Sequence, residues 1–369
     1  MTTPVRETDL RQFLPNADLL ELESAPHLWN INSIDVGATA TRLTGWCLPH
    51  GGRLDNSALV VNGGTFPLVR SDKPAGQYAE LYPWHPNAAF AGFTVDIPHS
   101  ILDLRTADEF EFRAVPLSGT ASNAGYALQI TRSDLNFEPP DAVIAARIGV
   151  GEALHYTMFG RSIFRGFDAA LRRATGGGFE KAGSIVDWGS GSGRVSRHIV
   201  GGLRSGQTFR GFDIDAPAVS WSNTHIGPNF QVSRIAPPLD VASESVDVVV
   251  AYSVFTHLSE AAFHQWLSEL KRVLKPGGTL MFTVLGDFSM ASLAPTFPRV
   301  AHERWRQRGI YDDSANRQLE TIEVGGDVYR NTWVKRAFTS QALGRAGLKH
   351  IDSVSPFHFY QDLVVARRL

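Results

Sequence analysis

The fold of the C-terminal part of this chain is decided by one stretch, Val186-Asp-Trp-Gly189-Ser-Gly191-Ser-Gly193-Arg194. It follows a short apolar strand, predicted at residues 184–187, and a helix that contains Ile199 is predicted to begin directly after it. Glycines at alternate positions let the backbone turn tightly and approach a ligand, while the first turn of a helix presents unpaired amides. The pattern D-x-G-x-G-x-G therefore predicts a strand, a ligand-binding loop and a helix.

Apolar strand patterns alternate with helical patterns beyond this loop. Strands are predicted at residues 209–213, 246–252 and 279–284, and the helix predicted at 260–274 carries its apolar side chains on one stripe. Strands that alternate with helices in this way form a parallel sheet with helices on both faces. The sequence therefore predicts an α/β fold for this part of the chain.

The N-terminal part has a different pattern, without helical periodicity. Short β-branched and aromatic runs lie between Gly, Pro, Asn and Asp turns, at residues 28–36, 39–48, 58–61, 67–70, 91–97, 109–115 and 126–131. Asn62-Gly63-Gly64 supplies residues that tolerate positive φ, as a tight hairpin requires. These features predict an all-β sandwich of the Ig-like type.

The two patterns meet in a polar segment that contains Pro139-Pro140. A chain of 369 residues is long enough for two packed cores. We therefore predict a β-sandwich accessory domain at residues 1–133, a linker at 134–149 and an α/β domain at 150–369.

Composition excludes several classes of protein. The formal net charge is -2, and there is no run of Lys or Arg that would favour nucleic acid or an anionic membrane as a partner. The longest apolar stretch, residues 246–254, is far too short for a bilayer span, and the first residues are polar. Cys47 is the only cysteine, which excludes intramolecular disulfides and cysteine-based metal clusters. We expect a soluble cytoplasmic protein with a small-molecule partner.

An acidic residue follows the glycine loop at the spacing of a ribose ligand. Asp213 ends the next predicted strand, about twenty residues after the loop, where a carboxylate accepts hydrogen bonds from ribose hydroxyls. Ile214 would offer an apolar face to adenine, and Asp215, before Ala-Pro, is predicted to cap a helix. A dinucleotide-binding loop would need glycine where Arg194 stands, which counts against NAD.

Three further motifs complete a family resemblance. They are residues 237–247, Ser253-Val-Phe-Thr-His-Leu258 and Arg272-Val-Leu-Lys-Pro-Gly-Gly278. With the glycine loop and Asp213, the chain resembles the class I S-adenosylmethionine-dependent methyltransferases over residues 150–369. The resemblance implies a Rossmann-like, seven-stranded, mostly parallel and doubly wound sheet, with S-adenosyl-L-methionine as the cofactor.

The resemblance also implies roles for single residues. Gly189, Gly191 and Gly193 would cradle the methionine and ribose part of the cofactor. Asp187 would order the loop, and Asp213 would bind the ribose.

Two contacts with the cofactor stay open at this point. Many relatives bind the adenine amine through an acid or Asn, whereas this chain has Ser233-Arg234-Ile235-Ala236 at that place. The backbone of Ile235 or Ala236 is therefore the candidate for the adenine contact. Arg161 is a candidate partner for the cofactor carboxylate, and a solvated helix arginine is the alternative.

Methyl transfer from a sulfonium is an in-line displacement, which mainly requires alignment of the acceptor and exclusion of water. A base is needed only for weakly acidic acceptors such as sugar hydroxyls. His257, after the fourth predicted strand of the sheet, is the candidate base, and a packing role is the alternative. No pairing of His and carboxylates at ligand spacing stands out, so we expect no metal.

Residues 287–336 depart from the sheet pattern and would lie at the carboxyl ends of the strands, where ligands bind. They are predicted to form an acceptor wall or lid, although their aromatic and Arg residues are equally typical of a surface for homo-oligomers. The tryptophan in the first motif, the Gly-Arg ending and the strand at 361–365 are most similar to family members associated with bacterial glycan biosynthesis. O-methylation of a saccharide or similar hydroxylated small molecule is therefore the expected function. The alternatives are a non-sugar nucleophile, a cofactor-binding pseudo-enzyme acting as a scaffold, and a nicotinamide oxidoreductase.

Overall fold

The computed structural model describes residues 28–49, 54–71, 76–82, 85, 87–103, 108–117, 127–149, 153–293, 297–316 and 329–369. The N-terminal strands are β1 (Leu28–Val36), β2 (Ala40–Leu48), β3 (Ser57–Val61), β4 (Gly64–Pro67), β5 (Val69–Arg70), β6 (Gly92–Pro98), β7 (Glu109–Pro116) and β8 (Leu128–Thr131). The later strands are β9 (Ser184–Trp188), β10 (Thr208–Asp213), β11 (Phe230–Val232), β12 (Val246–Ala251), β13 (Leu274–Leu285), β14 (Ile310–Ala315), β15 (Arg330–Val334), β16 (Leu348–His358) and β17 (Gln361–Arg368). The helices are α1 (Gly76–Leu81), α2 (Arg132–Leu135), α3 (Ala142–Arg147), α4 (Ala153–Thr175), α5 (Ser196–Gly201), α6 (Ala216–His225), α7 (Glu260–Val273), α8 (Asp287–Leu293), α9 (Arg299–Arg308) and α10 (Arg336–Arg345).

The N-terminal strands form two antiparallel sheets, in the orders β1-β2-β6-β5 and β4-β3-β7-β8. Asn62 and Gly63 have φ values of 47° and 84° in the hairpin between β3 and β4, as the predicted turn requires. Buried side chains of both sheets, such as Leu43 and Phe112, belong to one hydrophobic cluster, and Cys47 is buried in it. The Ig-like character of this region stays a prediction.

The C-terminal sheet is Rossmann-like and mostly parallel, as predicted. Strands β11, β10, β9, β12 and β13 lie side by side in parallel, and β17 and then β16 continue the sheet in antiparallel pairing. The strand β12 reads Val-Asp-Val-Val-Val-Ala and is almost wholly buried, because helices cover both faces of such a sheet.

Two strands of this sheet were not expected. Among the described residues the sheet has nine strands and not seven, because β14 and β15 form inside the segment 287–336. Leu285, at the end of β13, pairs with Trp333 of β15 and also with Gln361 of β17. The segment that the sequence predicts as a wall therefore extends the sheet beyond the end of β12.

The segment predicted as a linker, residues 134–149, contains the end of α2 and all of α3. Asp141 caps α3, where its side chain accepts hydrogen bonds from the amides of Val143 and Ile144 at 2.9 and 3.0 Å. Asp134 is only 1% exposed and accepts from the Thr131 amide in a capping box. The amide of Gln129 in β8 donates to Ser162 Oγ of α4 at 2.9 Å, so the N-terminal sheets pack directly against the α/β part.

Candidate functional site

A cleft of about 430 Å³ lies where the parallel strands β9, β10 and β12 end. Ligands of open α/β sheets bind at this edge, outside the carboxyl ends of the strands. Asp213, His257 and the turn between β16 and β17 all line this cleft. The cleft therefore brings together the two residues that the sequence predicts as ribose ligand and base.

The glycine loop after β9 has the conformation that only glycine adopts easily. Gly189, Gly191 and Gly193 have φ values of 77°, 52° and 73°. A Cβ on Gly189 would lie 2.1 Å from a methyl group of Val254, and one on Gly193 would lie 2.4 Å from a methyl group of Ile226. Gly189 and Gly191 line the cleft, whereas Gly193 does not line it and instead allows close packing below the loop.

Asp213 ties the glycine loop to the end of β10. Its carboxylate accepts hydrogen bonds from the amide of Gly191 at 2.6 Å and from the amide of Asp215 at 2.8 Å. Burial raises the pKa of Asp213 to about 6, although these backbone hydrogen bonds favour the charged form. The carboxylate keeps further lone pairs and lines the cleft, so it can accept hydrogen bonds from a diol.

Asp187, in β9, lines the cleft next to the glycine loop. Ser196 in the first turn of α5 donates its hydroxyl to this carboxylate. Burial raises the pKa of Asp187 to about 7. Asp215 has a different task, because it caps α6 as predicted and forms an ion pair with Arg147 at 2.9 Å.

The predicted adenine end is apolar and partly open. Ile214 and Ile235 line the cleft, and Ile235 is 41% exposed. The carbonyl of Ile235 accepts a hydrogen bond from Trp266 Nε1 at 3.2 Å, which fixes this segment. Ala236 is exposed and does not line the cleft, so of the two backbone candidates only Ile235 lies at the site.

Arg161 does not lie at the site, and it is not a solvated arginine either. Its guanidinium donates to the buried carboxylate of Asp134, which also binds Arg197 at 2.6 Å. Arg161 lies outside the residues that line the cleft. The expectation that Arg161 binds the cofactor carboxylate is therefore replaced by an ion pair with Asp134, in the predicted linker.

His257 lies in a 3₁₀ turn after β12 and lines the cleft. The ring stacks on Tyr329 with centroids 4.4 Å apart, and Nδ1 lies 3.0 Å from the carbonyl oxygen of Arg330. Burial lowers the pKa of His257 to about 4, against the hydrogen bond to that carbonyl. The imidazole is thus neutral at pH 7, and the proton that Nδ1 donates leaves Nε2 as an acceptor.

The cleft is also lined by groups that the sequence did not predict. The Tyr252 hydroxyl lies 3.0 Å from His358 Nδ1, and Gln361 Nε2 donates to Ser253 Oγ at 3.1 Å. Ser253 has a φ of 59°, and its amide donates to Thr283 Oγ1 at 2.7 Å. The contacts of Tyr252 with His358 and of Ser253 with Gln361 join residues 106 and 108 positions apart, so local patterns carry no signal for them.

The glycine loop is covered by α4. A Cβ on Gly160 would lie 2.1 Å from the carbonyl oxygen of Arg194, so glycine allows the close approach of the two segments. The Tyr156 hydroxyl donates to the carbonyl of Ser192 at 2.6 Å. Arg194 lines the cleft below α4, with its guanidinium 5.0 Å from the ring centroid of Tyr252.

No group of three or more His, Cys, Asp or Glu in the described residues is arranged to hold a metal ion. No helix in the described part of the chain is long and apolar enough to cross a membrane.

Solved structures with similar folds include methyltransferases from two organisms. A SAM-dependent methyltransferase from Methanosarcina mazei is 18% identical, and the match covers 52% of this chain and 93% of that one with a TM-score of 0.39. A SAM-dependent methyltransferase from Aquifex aeolicus is 17% identical, and the match covers 63% and 100% of the two chains with a TM-score of 0.40.

A curated relative and a family model each match part of the chain. The malonyl-[acyl-carrier protein] O-methyltransferase of Paenibacillus sp. (strain JDR-2) is 26% identical over 141 residues, which cover 34% of this chain and 50% of the relative. The chain thus spans about half the length of that relative. Residues 186–282, which run from β9 into β13, match the model of a family described as a methyltransferase domain.

Proposed function

We propose that this chain is an S-adenosylmethionine-dependent methyltransferase that methylates a hydroxyl group of a saccharide or a similar small molecule. The observation that carries the proposal is the buried carboxylate of Asp213, which is joined to the glycine loop at the edge of a Rossmann-like sheet. The family match over residues 186–282 supports the same conclusion.

The residues present fit the cofactor. Asp213 would accept hydrogen bonds from the ribose, and Ile214 and Ile235 would enclose the adenine. A Cβ on Gly189 would lie 2.1 Å from Val254 and one on Gly191 would lie 2.8 Å from Ile148, so glycine allows the loop to lie this close to two residues that line the cleft. When bound, S-adenosylmethionine supplies a methyl group on a positively charged sulfur.

The acceptor half of the cleft supports a hydroxylated ligand. Neutral amides and aromatic rings line it, namely Asn316, Asn331, Gln361, Tyr329 and Tyr360. Amides offer both donors and acceptors to sugar hydroxyls, and rings pack against the apolar face of a sugar. The relative from Paenibacillus is named as an O-methyltransferase, which supports oxygen as the accepting atom.

The protein's task in the reaction is to align the acceptor and to remove a proton. His257 is neutral and its Nε2 is free to accept, because Nδ1 donates to the carbonyl of Arg330. His257 would accept the proton of a hydroxyl held near Nε2 while that oxygen takes up the methyl group and the bond between the methyl carbon and the cofactor's sulfur breaks. The stacked ring of Tyr329 holds the imidazole in place.

The test combines binding with turnover. Calorimetry should detect binding of S-adenosylhomocysteine and no binding of NAD. Incubation with methyl-labelled S-adenosylmethionine should transfer the label to members of a panel of free and nucleotide-activated sugars. A parallel panel of amines, thiols and carboxylic acids serves as the control. Binding without any transfer would overturn the catalytic proposal in favour of a scaffold, and transfer only to the control panel would overturn the hydroxyl acceptor.

A further inference from the structure

A closed ring of hydrogen bonds joins Ser253, Thr283 and Gln361 at the cleft. The Ser253 amide donates to Thr283 Oγ1 at 2.7 Å, and the Thr283 hydroxyl donates to Gln361 Oε1 at 2.6 Å. Gln361 Nε2 then donates to Ser253 Oγ at 3.1 Å, which closes the ring. Ser253 and Gln361 line the cleft, whereas Thr283 is fully buried in β13. The ring therefore ties two groups of the cleft wall to the interior of the sheet.

The ring fixes the direction of each hydrogen bond. The oxygen of Thr283 receives the Ser253 amide, and its one hydrogen goes to Gln361 Oε1. A flipped Gln361 amide would present a donor there instead and take that acceptor away from a buried hydroxyl. The nitrogen of Gln361, which can only donate, thus faces Ser253. The Ser253 oxygen accepts within the ring and keeps its own hydrogen.

The backbone of Ser253 is held in a conformation that is rare for a residue with a side chain. Its φ of 59° lies in the left-handed region. Such conformations cost free energy, persist only where the surroundings impose them, and cluster in binding and catalytic sites. Two bonds of the ring act on Ser253, one through its amide and one through its hydroxyl. This arrangement points to a task for the Ser253 side chain.

The hydroxyl hydrogen of Ser253 can be given to a ligand. Thr256 Oγ1 lies 3.4 Å from Ser253 Oγ, longer than the roughly 2.5 to 3.0 Å of a good hydroxyl hydrogen bond. His257 lies one turn further along the chain and lines the same cleft. His257 Nε2 takes up a hydrogen, whereas the Ser253 hydroxyl offers one. This pair complements a hydroxyl that loses its proton and a neighbouring oxygen that receives a hydrogen bond.

We propose that the Ser253 hydroxyl donates a hydrogen bond to an oxygen of the methyl acceptor beside the methylated one, and that Gln361 is the positioning residue that keeps this hydrogen available. The inference rests on the proposed function and narrows the acceptor to compounds with two neighbouring oxygens. A vicinal diol of a sugar has such a pair, and so has a carboxylic acid.

Steady-state methyl transfer by the full chain tests the inference. Each sugar of the panel that takes the label is compared with its deoxy analogues, which lack one hydroxyl beside the methylated position. Ser253→Ala removes the donor. Gln361→Glu keeps the shape but replaces the donating nitrogen by an accepting oxygen, so the Ser253 hydrogen turns toward residue 361 and is lost to the ligand. Gln341→Glu, on the exposed surface of α10, is the matched control for the added charge.

Ser253→Ala and Gln361→Glu should each raise KM for the sugar roughly three- to tenfold, with kcat and the affinity for S-adenosylhomocysteine changed less than about twofold. The double variant should be no weaker than Ser253→Ala, because Gln361 acts through Ser253. One deoxy analogue should lose this dependence on both residues. If Gln361→Glu does not fold, Gln361→Leu removes the donor without a charge and should give a smaller rise in KM.

Two results would overturn the inference. One is a wild-type KM for the sugar in Ser253→Ala. The other is an equal rise in KM for the sugar and for all its deoxy analogues, which a purely structural role of the ring would produce.

The same data separate this inference from the proposed function. If only a carboxylic acid of the control panel is methylated, and its KM depends on Ser253 and Gln361 as described, the hydroxyl acceptor fails and the inference stands. If sugars are methylated and no variant changes KM, only the inference fails. Transfer to an amine or a thiol alone, or to no compound, overturns both.

Discussion

The indole of Trp46 in β2 stacks on the ring of Phe359 in the turn between β16 and β17, with centroids 6.3 Å apart and planes inclined by 11°. Phe359 has a φ of 51°, and it lines the cleft together with His358 and Tyr360. The turn that forms one wall of the candidate site is therefore held by a side chain of the N-terminal sheets.

Trp46→Ala should lower the free energy of unfolding by about 3 kcal/mol, since a large buried ring is removed from this packing. Trp46→Phe keeps a ring against Phe359 and should lose less than half as much. Chemical denaturation of both variants provides the measurement. Equal stabilities for Trp46→Ala and wild type would mean that the stack does not support the turn.

Asp213→Ala should weaken binding of S-adenosylhomocysteine by about 1.5 to 3 kcal/mol, the usual scale for hydrogen bonds to a charged group. This corresponds to roughly ten- to hundredfold in affinity. Asp240→Ala, exposed and outside the cleft, is the matched control for calorimetry. Unchanged affinity in a folded Asp213→Ala variant would remove Asp213 from the site.

The affinity for S-adenosylhomocysteine should depend on pH through Asp213. Its pKa is raised to about 6 by burial, so the carboxylate is charged above this pH and takes up a proton below it. Protonation removes acceptor capacity, and the affinity should therefore fall as the pH drops through 6, by up to about tenfold per unit. The Asp213→Ala variant should lack this fall, and an identical pH profile in both proteins would refute the assignment.

His257→Ala should lower turnover of a hydroxyl acceptor by roughly a hundredfold or more while cofactor affinity stays nearly unchanged. His225→Ala, exposed on α6, is the control. Melting temperature, cofactor affinity and turnover are measured on the same samples. Full activity in a destabilised His257→Ala protein would show that the histidine only packs against Tyr329.

Two aspartates of the predicted linker should behave differently. Asp134→Ala leaves the guanidinium groups of Arg161 and Arg197 without their carboxylate and should cost about 3 to 5 kcal/mol of stability. Asp141→Ala removes only an exposed helix cap and should cost about 1 kcal/mol. Similar losses in denaturation for the two variants would contradict the role of Asp134.

Local sequence patterns are sufficient to predict the glycine loop and the position of Asp213 at the end of the next strand. Both depend on short-range spacing, because the strand, the glycines and the acid follow one another along the chain. His257 was also placed at the cleft, since it follows the strand that enters it. These predictions needed only the rule that parallel strands end at the same edge of a sheet.

The features that the sequence did not predict are contacts between residues far apart in the chain, which depend on tertiary packing. Arg161 has its partner in Asp134, and nothing in the helical pattern around Arg161 marks that distant carboxylate. Tyr252 and His358 meet across 106 positions of the chain. The strand β14 arises where the composition shows aromatic and Arg residues without a clear period, so its pairing with β15 had no local signal.

One hydrophobic cluster contains side chains of both N-terminal sheets and of α4, for example Ile130 and Ile163. The N-terminal region and the α/β part therefore lose packing together when either is disrupted. Calorimetric heating should give a single endotherm for the whole chain, with equal calorimetric and van't Hoff enthalpies. A fragment that begins at Asp141 would expose the apolar face of α4 to water, and its heat-induced transition should be broader and lie at a lower temperature.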